Sequence, residues 1–149
     1  MIKIRKAVPS DFEELYEIGL KTPELSVSSD EPFMDKDDFR LRIRDRHNVF
    51  LLAEDKGKIV GYVLADGNDA DRPLRHRYAC IIYLVVIPSY RKRGIAKKLF
   101  DACIARLKTL GITHVYAWAN AHSAPIQKFL VNHGFKTGKK YIWMDRKIQ

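Results

Sequence analysis

The feature that most constrains the fold is one continuous stretch, IIYLVVIPSYRKRGIA, which covers residues 81–96. Almost all of its first seven residues are β-branched or otherwise apolar, which is typical of a central strand covered on both faces. Pro88 ends the strand, three cations follow at residues 91–93, and a helical pattern begins after Gly94. A helix start has unpaired N–H groups and partial positive charge. The stretch therefore predicts an anion site at a strand-to-helix turn.

The spacing of the glycines disfavours two familiar phosphate-binding loops. Neither G-x-x-x-x-G-K-[ST] nor G-x-G-x-x-G occurs in the chain, which argues against a P-loop nucleotide hydrolase and a dinucleotide oxidoreductase. The loop reads Arg91-x-x-Gly94-x-Ala96. Gly94 lacks a Cβ and so permits close approach of a ligand, and Ala96 keeps the first helical turn narrow. The alternative interpretation is an ordinary strand-to-helix turn that carries surface arginines.

These residues give the chain a resemblance to the GNAT N-acetyltransferase superfamily. The loop of that family is Arg/Gln-x-x-Gly-x-Gly/Ala, after a strand that ends in a pattern like Leu-x-Val-x-Pro-x-Tyr. Leu84, Val86, Pro88 and Tyr90 stand in that register. A helix that ends in Gly-Phe is a second shared feature, present over residues 123–135. The resemblance extends over essentially the whole chain.

The resemblance implies a cofactor and the residues that hold it. In the family, the loop amides hold the pyrophosphate of acetyl-coenzyme A (acetyl-CoA), and the backbone of the preceding strand pairs with the pantetheine arm. No metal is implied. The implied cofactor-binding residues are Leu84, Val85, Val86, Arg91, Lys92, Arg93, Gly94, Ile95, Ala96 and Ser123.

Apolar periodicity predicts the order of strands and helices along the chain. This order indicates an α/β (α+β) fold with a mixed, mostly antiparallel twisted sheet of about seven strands and four helices on both faces, which is also the order of the GNAT fold. We expect a single N-acetyltransferase domain over residues 1–149. The predicted strands are 2–8, 49–53, 59–65, 81–87, 113–119, 135–139 and 141–147, and the predicted helices begin near Ser10, Asp35, Gly94 and Ser123.

Two local signals refine this prediction. Ser10 and Glu13 form a capping-box pattern at the start of the first helix. Gly61 interrupts the third predicted strand, which indicates a bulge or a close backbone contact.

Cys80 and Cys103 lie among apolar residues without metal-type spacing, so we expect them to be small core side chains.

Composition narrows the classes of function. The chain has 27 Lys and Arg against 18 Asp and Glu, a formal charge of +9, which permits binding of anionic ligands, acidic proteins or nucleic acid. The cations are spread along the chain and no base-stacking motif occurs, so nucleic-acid binding ranks last. The sequence shows neither a bilayer-spanning apolar run nor a signal-peptide core, and we expect a cytoplasmic location.

The family's general acid and base do not carry over to this chain. Many members place a tyrosine seven residues after an Asn or Ser at the start of the last helix. Seven residues after Ser123 stands Leu130, which cannot donate a proton and is expected to be core. The glutamates that some members use as bases fall near Ile81 and Trp118, and neither of these residues titrates.

Two local side chains are candidates for catalysis. Tyr83 is expected to project on the same side of its strand as Ile81, beside the acetyl group, and the alternative is a core tyrosine. His122 precedes the last helix and titrates in the useful range, and the alternative is a solvated histidine. Ordered water is a third route for the proton. The strand backbone around residues 84–86 offers an N–H to polarise the acetyl carbonyl.

The acceptor is expected to bind beside the first two helices, which border the acceptor in the family. Acidic side chains there would attract an amine such as a polyamine, aminoglycoside, lysine or protein N-terminus, or else they only cap and solvate the second helix. They are Asp30, Glu31, Asp35, Asp37 and Asp38. A basic group on another loop would instead suit an anionic acceptor. Its members are Arg72, Arg75, His76 and Arg77.

Three functions therefore compete. The leading one is an enzyme, an acetyl-CoA-dependent N-acetyltransferase that acts on a primary amine by direct attack in a ternary complex. The second is a non-catalytic acyl-CoA sensor, which the missing family acid and base favour. The third is a basic nucleic-acid-binding domain. The expected partner is the amine acceptor, with no membrane. A homodimer is also expected from the family, although no residue identifies its interface.

Overall fold

The computed structural model describes residues 1–30, 33–67 and 77–148. The predicted strand-and-helix order is present from the first strand to the last helix. The elements are β1 (Lys3–Lys6), α1 (Phe12–Leu20), α2 (Lys36–Arg44), β2 (Asn48–Asp55), β3 (Lys58–Asp66), β4 (Tyr78–Val86), α3 (Ile95–Thr109), β5 (His114–Ala117) and α4 (Ala124–Asn132). In these described ranges, no helix is both long enough and apolar enough to cross a bilayer.

The five described strands form one sheet in sequence order, β1-β2-β3-β4-β5. The first four pair antiparallel, and β5 pairs parallel to β4. Gly61 marks both a bulge and a close contact. Ala53 pairs with Gly61 and Glu54 with Ile59, which leaves one extra residue in β3. A Cβ on Gly61 would lie 2.4 Å from the Val85 carbonyl oxygen, so both parts of the prediction for this glycine are confirmed.

Two hydrophobic cores lie on opposite faces of this sheet. On the face covered by α3, the core is mostly aliphatic and includes Leu99 and Cys103, both fully buried. Burial raises the pKa of the Cys103 thiol to about 12, which agrees with a core side chain. On the face covered by α1 and α2, the core is rich in aromatic residues and centres on Phe39. We call these the α3 face and the α1–α2 face.

The start of α1 differs from the predicted capping box. Ser10 lies inside a 3₁₀ turn, Pro9–Asp11, and the helix begins only at Phe12. The carboxylate that accepts a backbone N–H here belongs to Asp11, at 2.8 Å from the nitrogen of Val8. Arg5 of β1 holds the same carboxylate through two bonds of 2.8 and 2.9 Å. The ion pair with Arg5 therefore holds the Asp11 carboxylate in the position from which it caps the turn.

The last two predicted strands, 135–139 and 141–147, do not form in the described residues, so the sheet there has five strands and not about seven. Phe135 is anchored, because its N–H donates to the Leu130 carbonyl at 3.0 Å and its ring lies 6.0 Å from that of Phe100. Residues 136–148 are exposed and belong to no helix or strand. A segment with strand-forming residues becomes a strand only when a second strand lies beside it.

Candidate cofactor and acceptor site

The turn between β4 and α3 has an unusual backbone. A 3₁₀ turn, Pro88–Tyr90, ends β4, and then Lys92 adopts φ 61° and Gly94 φ 74° before α3 begins. Left-handed residues within such a turn aim successive backbone N–H groups into one concavity, which favours an anion. A Cβ built on Gly94 would meet no protein atom within 4 Å. The turn therefore leaves open space in front of the N-terminus of a 15-residue helix.

The three cations of this turn have different surroundings. Lys92 and Arg93 are exposed, and the Arg93 guanidinium stacks 4.8 Å from the centre of the Tyr90 ring. Arg91 instead turns back to the protein. Its Nε donates to the Val86 carbonyl at 2.9 Å, and its Nη1 lies 3.7 Å from a carboxylate oxygen of Glu24. All three residues are exposed, and Arg91 in addition holds the turn against the end of β4.

A gap opens in the sheet beside this turn. β4 and β5 pair from Tyr78 with His114 to Ile81 with Ala117, and β4 then continues through residues 82–86 with no pairing to β5. The predicted strand residues of the cofactor site, Leu84 to Val86, lie along this open edge. The side chain of Ile95 is 2% exposed, so its backbone N–H is the group it can offer to a ligand.

A second bulge lies in β4 at this edge. Leu64 pairs with Tyr83 and Ala65 with Ile81, so Ile82 is an extra residue. An extra residue reverses the alternation of side chains along a strand. Accordingly, Ile81 packs into the core of the α3 face, and Tyr83 packs against the α1–α2 face. The prediction that both side chains project on the same side is therefore wrong.

Tyr83 lies at the margin of the aromatic core. Its ring is half-buried and 5.1 Å from the ring of Phe33. Burial raises the pKa of the Tyr83 phenol, and Asp38 and Tyr16 raise it further, while Arg42 acts in the opposite direction. A phenol with a raised pKa keeps its proton at neutral pH. Tyr83 can therefore donate a proton but is poorly suited to accept one.

The acidic group near α2 divides into capping residues and one residue close to Tyr83. The Asp35 carboxylate accepts from the backbone nitrogens of Asp37 and Asp38, at 2.9 and 3.3 Å, and so caps α2. Asp37 binds Arg40 at 3.1 Å. For Asp35 and Asp37 the structural alternative is thus confirmed. Asp38 is the member of the group whose charge acts on Tyr83.

The remaining residues of the predicted acceptor region add little about how an acceptor would bind. Asp30 is exposed, and Glu31 lies outside the described residues. Of the basic group, Arg72, Arg75 and His76 also lie outside the described residues. Arg77 is described, and its Nη1 donates to the carbonyl of Leu110 at 2.9 Å, at the end of α3.

An ion pair that the sequence did not predict lies on the α1–α2 face. Arg42 of α2 binds the carboxylate of Asp66, at the end of β3, and both side chains are mostly buried. The charge of Arg42 also acts on Tyr83. The two residues are 24 positions apart in a chain with many charges, so no spacing rule would have selected them.

The connection from β5 to α4 lies across the gap from the open edge of β4. His122 is exposed there, and its backbone N–H donates to the side-chain oxygen of Asn120 at 2.9 Å. Ser123 takes the N-cap position of α4, but its side chain makes no capping bond. Leu130 is 7% exposed, which confirms that it is core. Trp118, at the other family glutamate position, is 66% exposed.

The described residues bring no three His, Cys, Asp or Glu side chains together in a way that could hold a metal ion.

Comparison with known proteins gives a family and a fold. The acetyltransferase (GNAT) family matches residues 12–135 of the sequence. No curated protein sequence matches the chain. The predicted fold class is confirmed, with five strands in the described residues.

Similar solved structures include a tetramutant of the BH1408 protein from Bacillus halodurans, at TM-score 0.80 and 20% identity over 97% of this chain and 99% of that one. The aminoglycoside acetyltransferase AAC(6′)-Iy, in complex with the bisubstrate analogue CoA-S-monomethyl-acetylneamine, has TM-score 0.78 and 17% identity over 99% of both chains. The aminoglycoside 6′-N-acetyltransferase AAC(6′)-IG from Acinetobacter haemolyticus has TM-score 0.76 and 16% identity over 99% of both chains. At these identities the likeness is one of fold.

Proposed function

Because the chain belongs to the acetyltransferase (GNAT) family, we propose that it transfers the acetyl group of acetyl-CoA to a primary amine by direct attack within a ternary complex. One observation carries the proposal for this chain. The turn at residues 91–96 combines two left-handed residues, three exposed cations and the start of a long helix, directly beside the open edge of β4. Together these features make a site for a phosphate group joined to an extended chain.

The cofactor would be held by charge at one end and by backbone at the other. Lys92 and Arg93 supply positive charge, and the first N–H groups of α3 have no partners within the helix. Gly94 leaves the space for the pyrophosphate. The open edge at residues 84–86 supplies backbone groups for the pantetheine arm, in the way a sheet edge binds an extended peptide.

The reaction needs one bond formed, one bond broken and two protons moved. The neutral amine attacks the thioester carbonyl, the C–N bond forms, and the C–S bond breaks. The amine nitrogen loses a proton, and the leaving thiolate of coenzyme A gains one. A backbone N–H of the open edge would stabilise the charge that develops on the carbonyl oxygen. We assign the proton donor to Tyr83, because its phenol stays protonated and the β4 bulge turns it toward the α1–α2 face.

The acceptor would approach from the α1–α2 face. Asp38 places negative charge near Tyr83, which favours an acceptor that is cationic in solution. An aminoglycoside is a sensible first acceptor to test, since two of the similar structures belong to enzymes named for that substrate class. Polyamines, lysine and a peptide N-terminus complete the panel.

Thermal unfolding with and without acetyl-CoA tests the cofactor site. Ligand at a hundredfold excess over its Kd should stabilise the protein by about 2.7 kcal/mol. Release of free thiol with each amine of the panel then tests the reaction. Stabilisation without thiol release from any amine would indicate a sensor of acyl-CoA. No stabilisation at any acetyl-CoA concentration would overturn the proposal.

A further inference from the structure

A carboxylate reaches the turn that we propose binds the cofactor, although the cofactor is itself an anion. Asp55 is the last residue of β2, and its Oδ2 accepts a hydrogen bond from the Tyr90 hydroxyl at 3.1 Å. Tyr90 belongs to the 3₁₀ turn directly before the three cations. A negative charge near a phosphate site weakens binding by repulsion. The carboxylate is therefore unfavourable for the ligand unless it acts through another group.

Tyr90 connects Asp55 to one of the three cations. The Tyr90 ring is half-buried and packs against the core of the α3 face. The Arg93 guanidinium stacks on this ring, 4.8 Å from its centre. The core therefore holds the body of the ring, and the hydrogen bond to Asp55 holds its hydroxyl. Together these contacts fix the surface on which Arg93 lies.

The hydrogen bond also strengthens the stacking. It is the largest of the effects that raise the pKa of the Tyr90 phenol, so the hydroxyl keeps its proton and stays the donor to Asp55. A phenol that donates to a carboxylate is polarised and carries more negative charge on its ring. A ring with a more negative face attracts a guanidinium more strongly. Asp55 thus stabilises the position of Arg93 through the ring between them.

A cation that is held in place binds a phosphate with a smaller loss of entropy. Arginine has several rotatable bonds, and it loses that freedom when it binds a ligand unless it is already ordered. Lys92 provides the contrast, since its side chain makes no hydrogen bond or ion pair with any residue that the structure describes. Arg93 is therefore the cation next to Gly94 that stacking has already ordered.

We propose that Asp55 and Tyr90 are positioning residues that hold Arg93 for the phosphates of acetyl-CoA, so that a carboxylate increases the affinity of the site for an anion. Because acetyl-CoA is taken as the ligand, this role rests on the proposed function. The other oxygen of Asp55, Oδ1, lies 3.2 Å from the nitrogen of Met1. A substitution at Tyr90 is therefore needed beside one at Asp55, since it leaves that second contact in place.

Calorimetric titration of the full chain with acetyl-CoA tests the sign of the effect. Asp55→Ala should raise the Kd about fivefold, and Tyr90→Phe, which keeps the ring and loses the hydrogen bond, about threefold. Asp55→Asn retains an acceptor oxygen and should recover most of the affinity. Asp101→Ala is the control, because Asp101 is an exposed carboxylate on α3 that pairs with Lys97. Its loss should leave the Kd unchanged or slightly lower.

A double-mutant cycle tests whether Asp55 acts through Arg93. Arg93→Ala alone should raise the Kd about tenfold, the usual effect of losing a hydrogen bond to a charged group. The variant that combines Arg93→Ala with Asp55→Ala should bind like Arg93→Ala, because Asp55 then has nothing left to position. Independent effects would instead multiply to about 50-fold, which would overturn the proposal.

Thermal unfolding of each variant without ligand separates positioning from stability. A lower Tm with an unchanged Kd in Asp55→Ala and Tyr90→Phe would show that the two residues only hold the fold, and would overturn the proposal. So would a lower Kd in Asp55→Ala, the result of charge repulsion alone. If Asp55→Ala does not fold, Tyr90→Phe gives the same test. A wild type that does not bind acetyl-CoA would overturn the proposed function together with this role.

Discussion

The two faces of the sheet are filled with different chemistry. Among the residues that the structure describes, the core of the α3 face has fourteen buried residues, of which Phe100 alone is aromatic and the rest are aliphatic or cysteine. Of thirteen in the core of the α1–α2 face, six are aromatic. Aliphatic side chains between a helix and a sheet need only fill space. A phenol can also carry or lose a proton, and the charges around it influence which of these two states is favoured.

The different compositions of the two cores suit two different roles in the proposed reaction. In the proposed function, the α3 face supports a turn that binds the cofactor through backbone groups and exposed cations, so the core of this face needs only to be rigid. The α1–α2 face surrounds Tyr83 with aromatic rings and with the charges of Asp38 and Arg42, so its packing influences a titrating group directly. Substitutions on the two faces should therefore affect different steps of the proposed reaction.

Gly94→Val should give the largest effect, on the affinity for acetyl-CoA. A branched side chain would occupy the open space in front of α3, and we expect affinity for acetyl-CoA to fall at least ~10³-fold, about 4 kcal/mol. The left-handed backbone adds a folding cost of about 1–2 kcal/mol. Gly134→Val is the control, since Gly134 also has positive φ and open space but lies at the far end of α4. Calorimetric titration showing equal affinities in both variants would mean that the turn is not the site.

Phe39→Ala should destabilise the packing of the α1–α2 face. Phe39 is fully buried and contacts four of the aromatic rings around it at 5.4–5.9 Å between centroids. We expect a loss of about 3–5 kcal/mol in the free energy of unfolding, measured by urea denaturation. Below the unfolding transition, acetyl-CoA affinity should be close to that of the wild type. A large loss of affinity in folded protein would show that the two faces are not separable.

Tyr83→Phe should remove the proton donor and keep the ring. We expect kcat to fall about 100-fold, with little change in acetyl-CoA affinity. Tyr62→Phe is a matched control on the same face, because the Tyr62 hydroxyl is buried without a hydrogen-bond partner. That control should keep wild-type turnover and gain about 1 kcal/mol of stability. Equal turnover in the two variants would leave Tyr83 with a packing role only.

Asp11→Asn should show how far charge, and not aromatic packing, holds α1 on the sheet. The hydrogen bonds from Arg5 lower the pKa of Asp11, so the ionised carboxylate is favoured in the folded state. Its contribution, about 2 kcal/mol, is present above the unfolded-state pKa of about 4 and is lost as the pH falls further. Urea titrations should therefore show wild type and variant differing at pH 7 and converging near pH 2. A difference that does not depend on pH would point to shape and not charge.

Much of the candidate site could be predicted because its signals are local. The strand that ends at Pro88, the three cations and Gly94 follow one another within fourteen residues, and their spacing alone indicates an anion site. Gly61 likewise signalled its bulge, since a missing side chain is visible in the sequence. The burial of Leu130 followed from apolar periodicity.

The errors share one cause, which is that they depend on pairing between distant segments. The bulge at Ile82 carries no glycine and is visible only in the register of β4 against β3, yet it decides which face Tyr83 occupies. The residues of 135–139 and 141–147 predict two strands, but a strand needs a neighbour, and the described chain places none beside them.

The sequence by itself determined the order of the elements from β1 to α4, the place of the turn that we propose binds the cofactor, and the resemblance to an acetyltransferase family, because each rests on local patterns of residues. Only the tertiary structure decided the face of Tyr83, the pairing of Arg42 with Asp66 and the exposure of residues 141–144. The physical reason is that strand register and ion pairing are set by the relative free energies of many long-range contacts, and no single segment carries that information.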